Sequence, residues 1–475
     1  MKVIKNYLWN VMYQLLVIVI PLITVHYVTR VLGATGYGIN SFTNANTQYF
    51  VLFGSIGVSL YGNRQIAYHR DDRKKTSQTF WEIYIMRACT LGLAMIAFYI
   101  FMLFTGQYKA DYFMQSFLIW AAAFDISWFF MGFENFQVTV VRNMLVKILS
   151  LVLIFMFVKT RGDLPTYILI LSLSQLAGNL TLWPYLRHYV DMPDWHHLNI
   201  WQHLRPSLVL FVPQIATSLY LSLNKTMLGS MVSVASAGFY DNSDKIIKMV
   251  LAVVTATGTV MLPHVANAFA HGDKKSVHRY LYMSFDFVSF LSVPLMFGIA
   301  AIATAFAPWF FTKSFAEVGK LMMIESIVML MIAWSNVLGV QYLLPTNRNK
   351  PYTFSVTLGA IVNVVLNVPL IMIWKTNGAM WSTVLSEVAV TGYQLWVVRH
   401  DIDIPRLFTN LWKYLVAGAV MFVVVYWMNL HFTMGYVMLV VEATVGAVIY
   451  AVLILILKPT VLQTAKMFLD RRRNK

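Results

Sequence analysis

The chain reads as an all-α polytopic membrane protein of about 14 transmembrane helices, arranged as two pseudo-symmetric six-helix bundles followed by two C-terminal helices. Three observations predict this. Of its 475 residues 59% are hydrophobic and 12% charged, with a mean hydropathy of +0.64, too apolar for a soluble fold. Apolar runs of about 20 residues, the length a helix needs to cross a hydrocarbon core, recur along its whole length. Basic residues are also partitioned between alternate connections, the pattern that sets topology in multi-pass proteins.

The first run, 8–29, carries Pro21 and lacks a small-residue cleavage site, so it is expected to act as an uncleaved signal anchor. The second, 40–61, ends at Asn63-Arg64, and the third, 80–104, contains Glu82, Arg87 and the lone Cys89, which precludes an internal disulfide. The fourth (112–131, with Asp125), fifth (143–158) and sixth (165–186) lead to the longest connection, 187–205, which holds Pro193, Trp195 and the pair His196-His197. The seventh run, 206–228, contains Pro213 and Lys225; the eighth, 239–262, opens with Asp241-Asn-Ser-Asp244-Lys245 and continues to Lys248. The ninth (281–308) carries Asp286 and Pro294, and the tenth (321–344) Glu325, Asn336 and Gln341. The eleventh (352–374, with Pro369), twelfth (378–398, with Glu387), thirteenth (411–430) and fourteenth (435–457, with Glu442) complete the series. Pro21, Pro213, Pro294 and Pro369 are expected to kink their helices, because proline removes one backbone hydrogen bond and clashes with the preceding turn.

An even number of spans puts both termini on one side. Connections on that side hold 25 of the 36 basic residues; the other side holds Arg30, Lys109, Lys159, Arg161, Lys313, Lys320 and Lys375, and Arg87, Lys225, Lys245 and Lys248 fall in or at the edge of spans. The bias predicts that both termini are cytoplasmic. It also explains the formal net charge of +16 as a basic face against anionic lipid, tail residues Asp470 to Lys475 included, and gives no ground for a nucleic-acid partner.

Connections under twenty residues leave no room for a soluble catalytic domain, which disfavours a membrane glycosyltransferase or polymerase. Asp401-Ile-Asp403 imitates a sugar-nucleotide metal motif but sits in a short linker. No Gly-x-x-x-x-Gly-Lys-Ser/Thr loop is present, so energy must come from ion or lipid gradients or from a partner. His196 and His197, adjacent and thus about 100° apart on a helix, make poor zinc ligands. No cofactor, metal or enzyme constellation is expected.

A weak half-chain repeat pairs Pro21-Leu-Ile-Thr and Gly36-Tyr-Gly-Ile-Asn-Ser41 with Pro213-Gln-Ile-Ala-Thr and Gly238-Phe-Tyr-Asp-Asn-Ser243. Ser127-Trp128 with Gly132 echoes Trp334-Ser335 with Gly339. Such repeats suit a transporter that rocks two halves around a central path. The implied division is 1–200, 201–404 and an appended 405–475.

An ionised group at mid-bilayer costs roughly 2.5 to 3.5 kcal/mol on insertion scales, so each one asks for a partner or a cavity. Arg87, with Glu82 on the same helix, is the best candidate for an interior cation, and Asn63-Arg64 ends the second span; an Arg fork matches pyrophosphate oxygens. Lys225 is either a cavity cation or an outward-snorkelling residue. Asp241 to Lys245 and Asp244 to Lys248 are i,i+4 pairs that either satisfy themselves or line a polar path. Glu325, Glu387 and Asp244 are candidates for ion coupling, with ordinary interhelical bonding as the alternative. Asn336 and Gln341 keep amides in an apolar span, which suggests that it lines something polar.

Several strings occur in order: Thr29-Arg-Val-Leu-Gly-Ala-Thr-Gly-Tyr-Gly38, Gly57-Val-Ser-Leu-Tyr-Gly-Asn-Arg-Gln-Ile-Ala-Tyr68, Arg70-Asp-Asp-Arg-Lys-Lys75, Lys225-Thr-Met-Leu-Gly229 and Asn336-Val-Leu-Gly-Val-Gln-Tyr-Leu-Leu-Pro345. Together they resemble the polysaccharide repeat-unit flippases, exporters of lipid-linked oligosaccharides in the MATE-related MOP superfamily. The chain departs from similar proteins in carrying Asn224 where an acidic residue is common. The resemblance implies a polyprenyl-pyrophosphate oligosaccharide as substrate, membrane lipids and polysaccharide polymerase and chain-length machinery as partners, and a bacterial plasma membrane as location. It adds Arg30 to the substrate-binding candidates Arg87, Lys225, Arg64, Asn63, Asn336 and Gln341. A drug/cation antiporter, a cell-wall lipid precursor flippase and a non-transporting assembly scaffold are the alternatives.

Overall fold

The computed structural model describes the backbone of residues 2–462 and their side chains from Val19 onward, except at 136–137, 212–214, 216–217, 219–221 and 259–260. The side chains of Lys2, Lys5 and Pro213 and the basic tail at 470–475 therefore lie outside the described residues. Every regular element among the described residues is helical. In hydrocarbon a long apolar segment can satisfy its own N–H and C=O groups only by coiling into a helix, and among the described residues ten helices are long and apolar enough to cross a membrane. The chain is a multi-pass membrane protein.

In chain order the helices are α1 (Lys2–Ser55), α2 (Val58–His69), α3 (Arg73–Phe104), α4 (Lys109–Ala123), α5 (Ser127–Gly132), α6 (Phe136–Phe157), α7 (Leu164–Leu180), α8 (Trp183–Leu186), α9 (Leu204–Met231), α10 (Val234–Ala270), α11 (Lys274–Phe310), α12 (Ala316–Ser335), α13 (Asn349–Val398), α14 (Ile404–Leu407), α15 (Leu411–His431) and α16 (Tyr436–Leu457). A π-helical segment, Asn336–Leu343, continues α12. Each apolar run read from the sequence falls on these helices, though not one to one: 40–61 spans the end of α1 and the start of α2, 112–131 spans α4 and α5, and 165–186 spans α7 and α8.

The halves arise because α1 and α13 each hold two runs. α1 breaks at Gly33 (φ 70°, ψ −178°), a conformation essentially restricted to glycine. α13 breaks at Lys375 (φ 52°, ψ −127°). Beyond Lys375 the chain doubles back: Ser382 donates to the Asn363 carbonyl at 3.0 Å and Gln394 to Ser355 Oγ at 3.0 Å, so the two halves run antiparallel. Pro21, Pro294 and Pro369 lie inside helices that continue past them; the non-helical breaks fall at Gly33 and Lys375, where the chain has to turn.

The helices form two compact units, Met1–Gly238 and Phe239–Lys475. In the first, α2, α3, α5 and α8 bury an aromatic core around Phe80, Trp128, Phe129 and Phe130. A second cluster of Leu91, Met95, Phe98, Tyr112 and Ile119 joins α3 to α4. In the second unit α11 packs against α12 and α15, and α16 against α15. There Tyr450 donates to the Phe290 carbonyl at 2.9 Å, and the Asn429 amide donates to buried Glu442 at 3.2 Å. Between the spans, Arg348 pairs with Asp401, and that hydrogen bond holds the Asp401 carboxyl below its ordinary range. Asp401-Ile-Asp403 thus closes a loop and starts α14, in keeping with its reading as a linker.

The α13 hairpin is tight enough that a Cβ on Gly378 would stand 1.9 Å from the Leu370 carbonyl oxygen, whereas one on Gly392 would meet nothing within 4 Å. Gly378→Ala is expected to destabilise the protein by about 1 to 3 kcal/mol, the usual cost of overpacking, and Gly392→Ala by less than about 0.5 kcal/mol. Thermal melts of the two detergent-purified variants check this.

Candidate functional site

In the first unit the second half of α1 carries Asn40, Thr43, Asn44, Asn46 and Thr47 within an otherwise apolar helix. Three- and four-residue spacing aligns most of them on one face, and α4 answers with Tyr112 and Gln115. Gln115 donates to Asn40 Oδ1 at 3.2 Å, Asn46 to the Tyr112 hydroxyl at 2.7 Å, Thr226 of α9 to Asn46 Oδ1 at 2.8 Å, and Tyr49 to Thr226 at 3.1 Å. Asn46, Tyr49, Tyr112 and Thr226 form the polar wall of a cavity of about 1120 Å³ whose other walls include Phe42, Phe50, Phe53 and Phe101. Neutral amides and hydroxyls beside aromatic faces suit a hydroxyl-rich ligand. This seam is not among the candidates read from the sequence, where its signal is amides on a helical repeat within an apolar span.

Arg87 is 3% exposed and faces the interior of the first unit. Its partner is not Glu82. Five residues separate the two, about 140° around the helix, and Arg87 instead donates to the Asp125 carbonyl at 2.9 Å and stands 3.7 Å from the Asp125 carboxylate. The interior cation thus carries its own counter-ion from the start of the turn between α4 and α5.

Glu82 is also buried, not solvated. It accepts from the Asn199 N–H at 2.8 Å, from Gln202 at 2.8 Å and from Gln78 at 3.0 Å, and pairs with His203 Nε2 at 2.8 Å. The other His203 ring nitrogen meets the Tyr61 hydroxyl at 2.7 Å. This cluster fixes the 187–203 connection onto α3 and α2. Its one advance signal, an acid inside an apolar run, did not identify the histidine more than a hundred residues away.

In the second unit the structure brings two of the three ion-coupling candidates together. Glu325 of α12 is buried and accepts at 2.5 Å from Ser243, the residue next to Asp244. Asp244 pairs with Lys248 at 2.7 Å, and Asp241 with Lys245 at 2.6 Å, so both i,i+4 pairs form. Glu387 is half-buried on α13 with its own interactions. Asn336 and Gln341 meet across the π-helical segment, Gln341 donating to Asn336 Oδ1 at 3.1 Å. The wider turn brings side chains five apart into register, a device common at functional sites. Gln341 is buried with Oε1 unpartnered among the described residues.

The remaining candidates stand apart. Arg64 is exposed, 5.9 Å over the Tyr61 ring, beside half-buried Asn63. Arg30 is exposed near the break in α1, and Lys225 is half-buried next to fully buried Asn224; both make contacts within the protein.

Removing one member of a buried ion pair strands the other, at about 3 to 5 kcal/mol. Arg87→Met and Asp125→Asn are each expected to lower stability, Asp125→Asn more because it strands the more deeply buried charge, and the double variant to lose less than the sum. A double-mutant cycle of unfolding midpoints measures this coupling.

Comparison with known proteins gives this geometry a family. Residues 3–269 match the family described as Polysaccharide biosynthesis protein. The chain is 22% identical over 388 residues to the "Putative O-antigen transporter" of Escherichia coli (strain K12), covering 80% of this chain and 93% of that protein. Among solved structures it resembles a lipid II flippase MurJ in its inward closed conformation, with a TM-score of 0.76 at 13% identity over 95% of this chain and 98% of that one. It also resembles an inward-facing multidrug resistance MATE family transporter of the MOP superfamily, with a TM-score of 0.58 at 11% identity over 82% and 94%. These structures share its all-α fold, and with a family match over more than half its length the chain belongs to the polysaccharide biosynthesis protein family.

Proposed function

We propose that this chain is a flippase that carries undecaprenyl-pyrophosphate-linked oligosaccharide repeat units from the cytoplasmic to the outer leaflet of a bacterial plasma membrane for capsule or exopolysaccharide assembly. The observation that carries the reading is the likeness to the E. coli protein across 93% of that protein's length. In this reading the bundles 1–200 and 201–404 alternate access, 405–475 adds two helices and a basic tail, both termini are cytoplasmic, and a polymerase and chain-length machinery receive the product.

The physical task is plain. Each unpaired hydroxyl taken into hydrocarbon costs several kcal/mol and each charge far more, so the headgroup needs a polar path while the lipid tail stays in the bilayer. The seam of Asn46, Tyr49, Tyr112 and Thr226 offers hydroxyls and amides to sugars, and the neighbouring rings offer apolar faces. Arg87 is the pyrophosphate ligand. Because Asp125 already holds it, binding is an exchange of one anion for another, and release restores the Asp125 pair. Arg30, Asn63, Arg64, Lys225, Asn336 and Gln341 supply further contacts along the path. Coupling runs through Glu325 and Asp244: Ser243 ties Glu325 to the turn of α10 that carries the Asp244–Lys248 pair, so a proton gained or lost at Glu325 changes the charge beside that pair. Glu387 is the reserve site for the same role.

A second reading, a cell-wall lipid precursor flippase, draws on the MurJ-like fold. The two differ in the glycolipid accepted.

The test is the sidedness of a labelled polyprenyl-pyrophosphate oligosaccharide in proteoliposomes. Protein-dependent appearance of glycan in the opposite leaflet, reduced at least tenfold in Arg87→Ala and Asn46→Ala, is the expected outcome. Movement of lipid II alone would favour the second reading, and efflux of organic cations with no glycolipid movement would replace both with a drug antiporter. With a proton gradient imposed, Glu325→Gln is expected to abolish the stimulation while sparing gradient-free exchange; stimulation undiminished in Glu325→Gln would remove the carboxyl pair from the mechanism.

A further inference from the structure

The second unit contains a cavity of about 530 Å³ that the proposed transport path does not use. Its walls come from α10 (Thr257, Met261), the first half of α11, the α14 region and residues just past α16. Arg279 and Arg406 stand at its edge, both exposed, and among the described residues neither has a carboxylate within ion-pair distance. Arg406 is held in place: its guanidinium lies 4.6 Å over the Tyr282 ring, whose hydroxyl accepts from the Asp403 N–H at 2.8 Å.

Asp286 also lines the cavity, accepting from neutral donors: Asn410 at 3.1 Å, Tyr414 at 2.8 Å and Thr460 at 2.9 Å. These bonds use three of its four acceptor positions and tie it to α15 and to the segment past α16, with neither arginine within ion-pair distance. Ser284 also lines the cavity, with a buried hydroxyl that has no partner among the described residues. Met261, Met283 and Phe287 give the remaining wall an apolar character.

We propose that this cavity binds the phosphodiester headgroup of an anionic membrane phospholipid. The two arginines take the phosphate oxygens, since guanidinium forks match that geometry and stay charged at any relevant pH. Ser284 gains the partner it lacks, and the acyl chains run along Met261, Met283 and Phe287. A free phosphate satisfies the arginines equally but leaves the apolar wall uncovered, which is why the lipid is favoured. Basic pockets between transmembrane helices commonly hold such headgroups. The site is separate from the groups assigned to substrate, and its test needs no transport assay.

The test titrates the full-length protein in detergent with phosphatidylglycerol, phosphatidylcholine or inorganic phosphate, following bound lipid by native mass spectrometry. Phosphatidylglycerol is expected to bind stoichiometrically and phosphatidylcholine not. Arg279→Gln with Arg406→Gln should weaken binding by about thirtyfold, roughly fivefold per arginine, while Lys274→Gln with Arg399→Gln, an equal charge loss elsewhere, leaves it unchanged. Ser284→Leu, which fills the cavity without altering charge, should also abolish binding. Equal losses in both double variants would reduce the effect to general surface charge and overturn the site. Displacement of the lipid by millimolar inorganic phosphate would overturn the lipid assignment in favour of a free-anion site.

Discussion

The rest of this structure depends on one constraint: in a hydrocarbon environment no polar group can turn to water, so each must find its partner inside the protein. The backbone solves this by coiling into helices. The side chains solve it one by one. Arg87 takes both the carbonyl and the carboxylate of Asp125, Glu82 collects an N–H, two amides and a histidine, and Glu442 is met by Asn429. Where α1 bends and α13 reverses, a single non-helical residue does so without exposing a stretch of unpaired backbone.

The same constraint explains which parts were legible in the sequence. Runs of about 20 apolar residues can do little but span, so the helices, the gaps between adjacent runs in which the Gly33 and Lys375 breaks fall, and the i,i+4 pairs of α10 could all be read locally. Partners far apart in sequence could not. Arg87 faces the interior as its burial cost implies, yet its counter-ion is Asp125 and not Glu82, because a five-residue separation turns Glu82 away. The His203 end of the Glu82 cluster lies in a connection whose sequence carries no periodic signal. The amide seam on α1 was visible as composition, but its meaning came only when Tyr112, Gln115 and Thr226 arrived from two other helices.

The two units solve their polar problem with different chemistry. The first concentrates neutral amides and hydroxyls around a large aromatic-walled cavity, with one guanidinium held by one carboxylate. The second concentrates carboxylates near α10: Glu325, Asp244 and Asp241 with Lys248 and Lys245. A neutral seam changes little with protonation and is suited to recognising hydroxyls. A carboxyl pair changes character with a single proton and is suited to sensing a gradient.

That division bears on why Arg87 keeps a carboxylate beside it. A bare guanidinium at this depth would bind a pyrophosphate so strongly that release would become the slow step, and an uncompensated charge would also burden the empty protein. With Asp125 at 3.7 Å, the empty state is already satisfied, and only the difference between two anions is available for binding. A carrier must let go as readily as it takes hold, and an internal competitor for the same cation narrows the energy gap between loaded and empty states. A charged pair is a weak contributor to stability when compared with apolar packing of the same volume, so under the proposed function its presence in α3 and the α4–α5 turn is the cost of a reversible anion site rather than a device for holding the fold together.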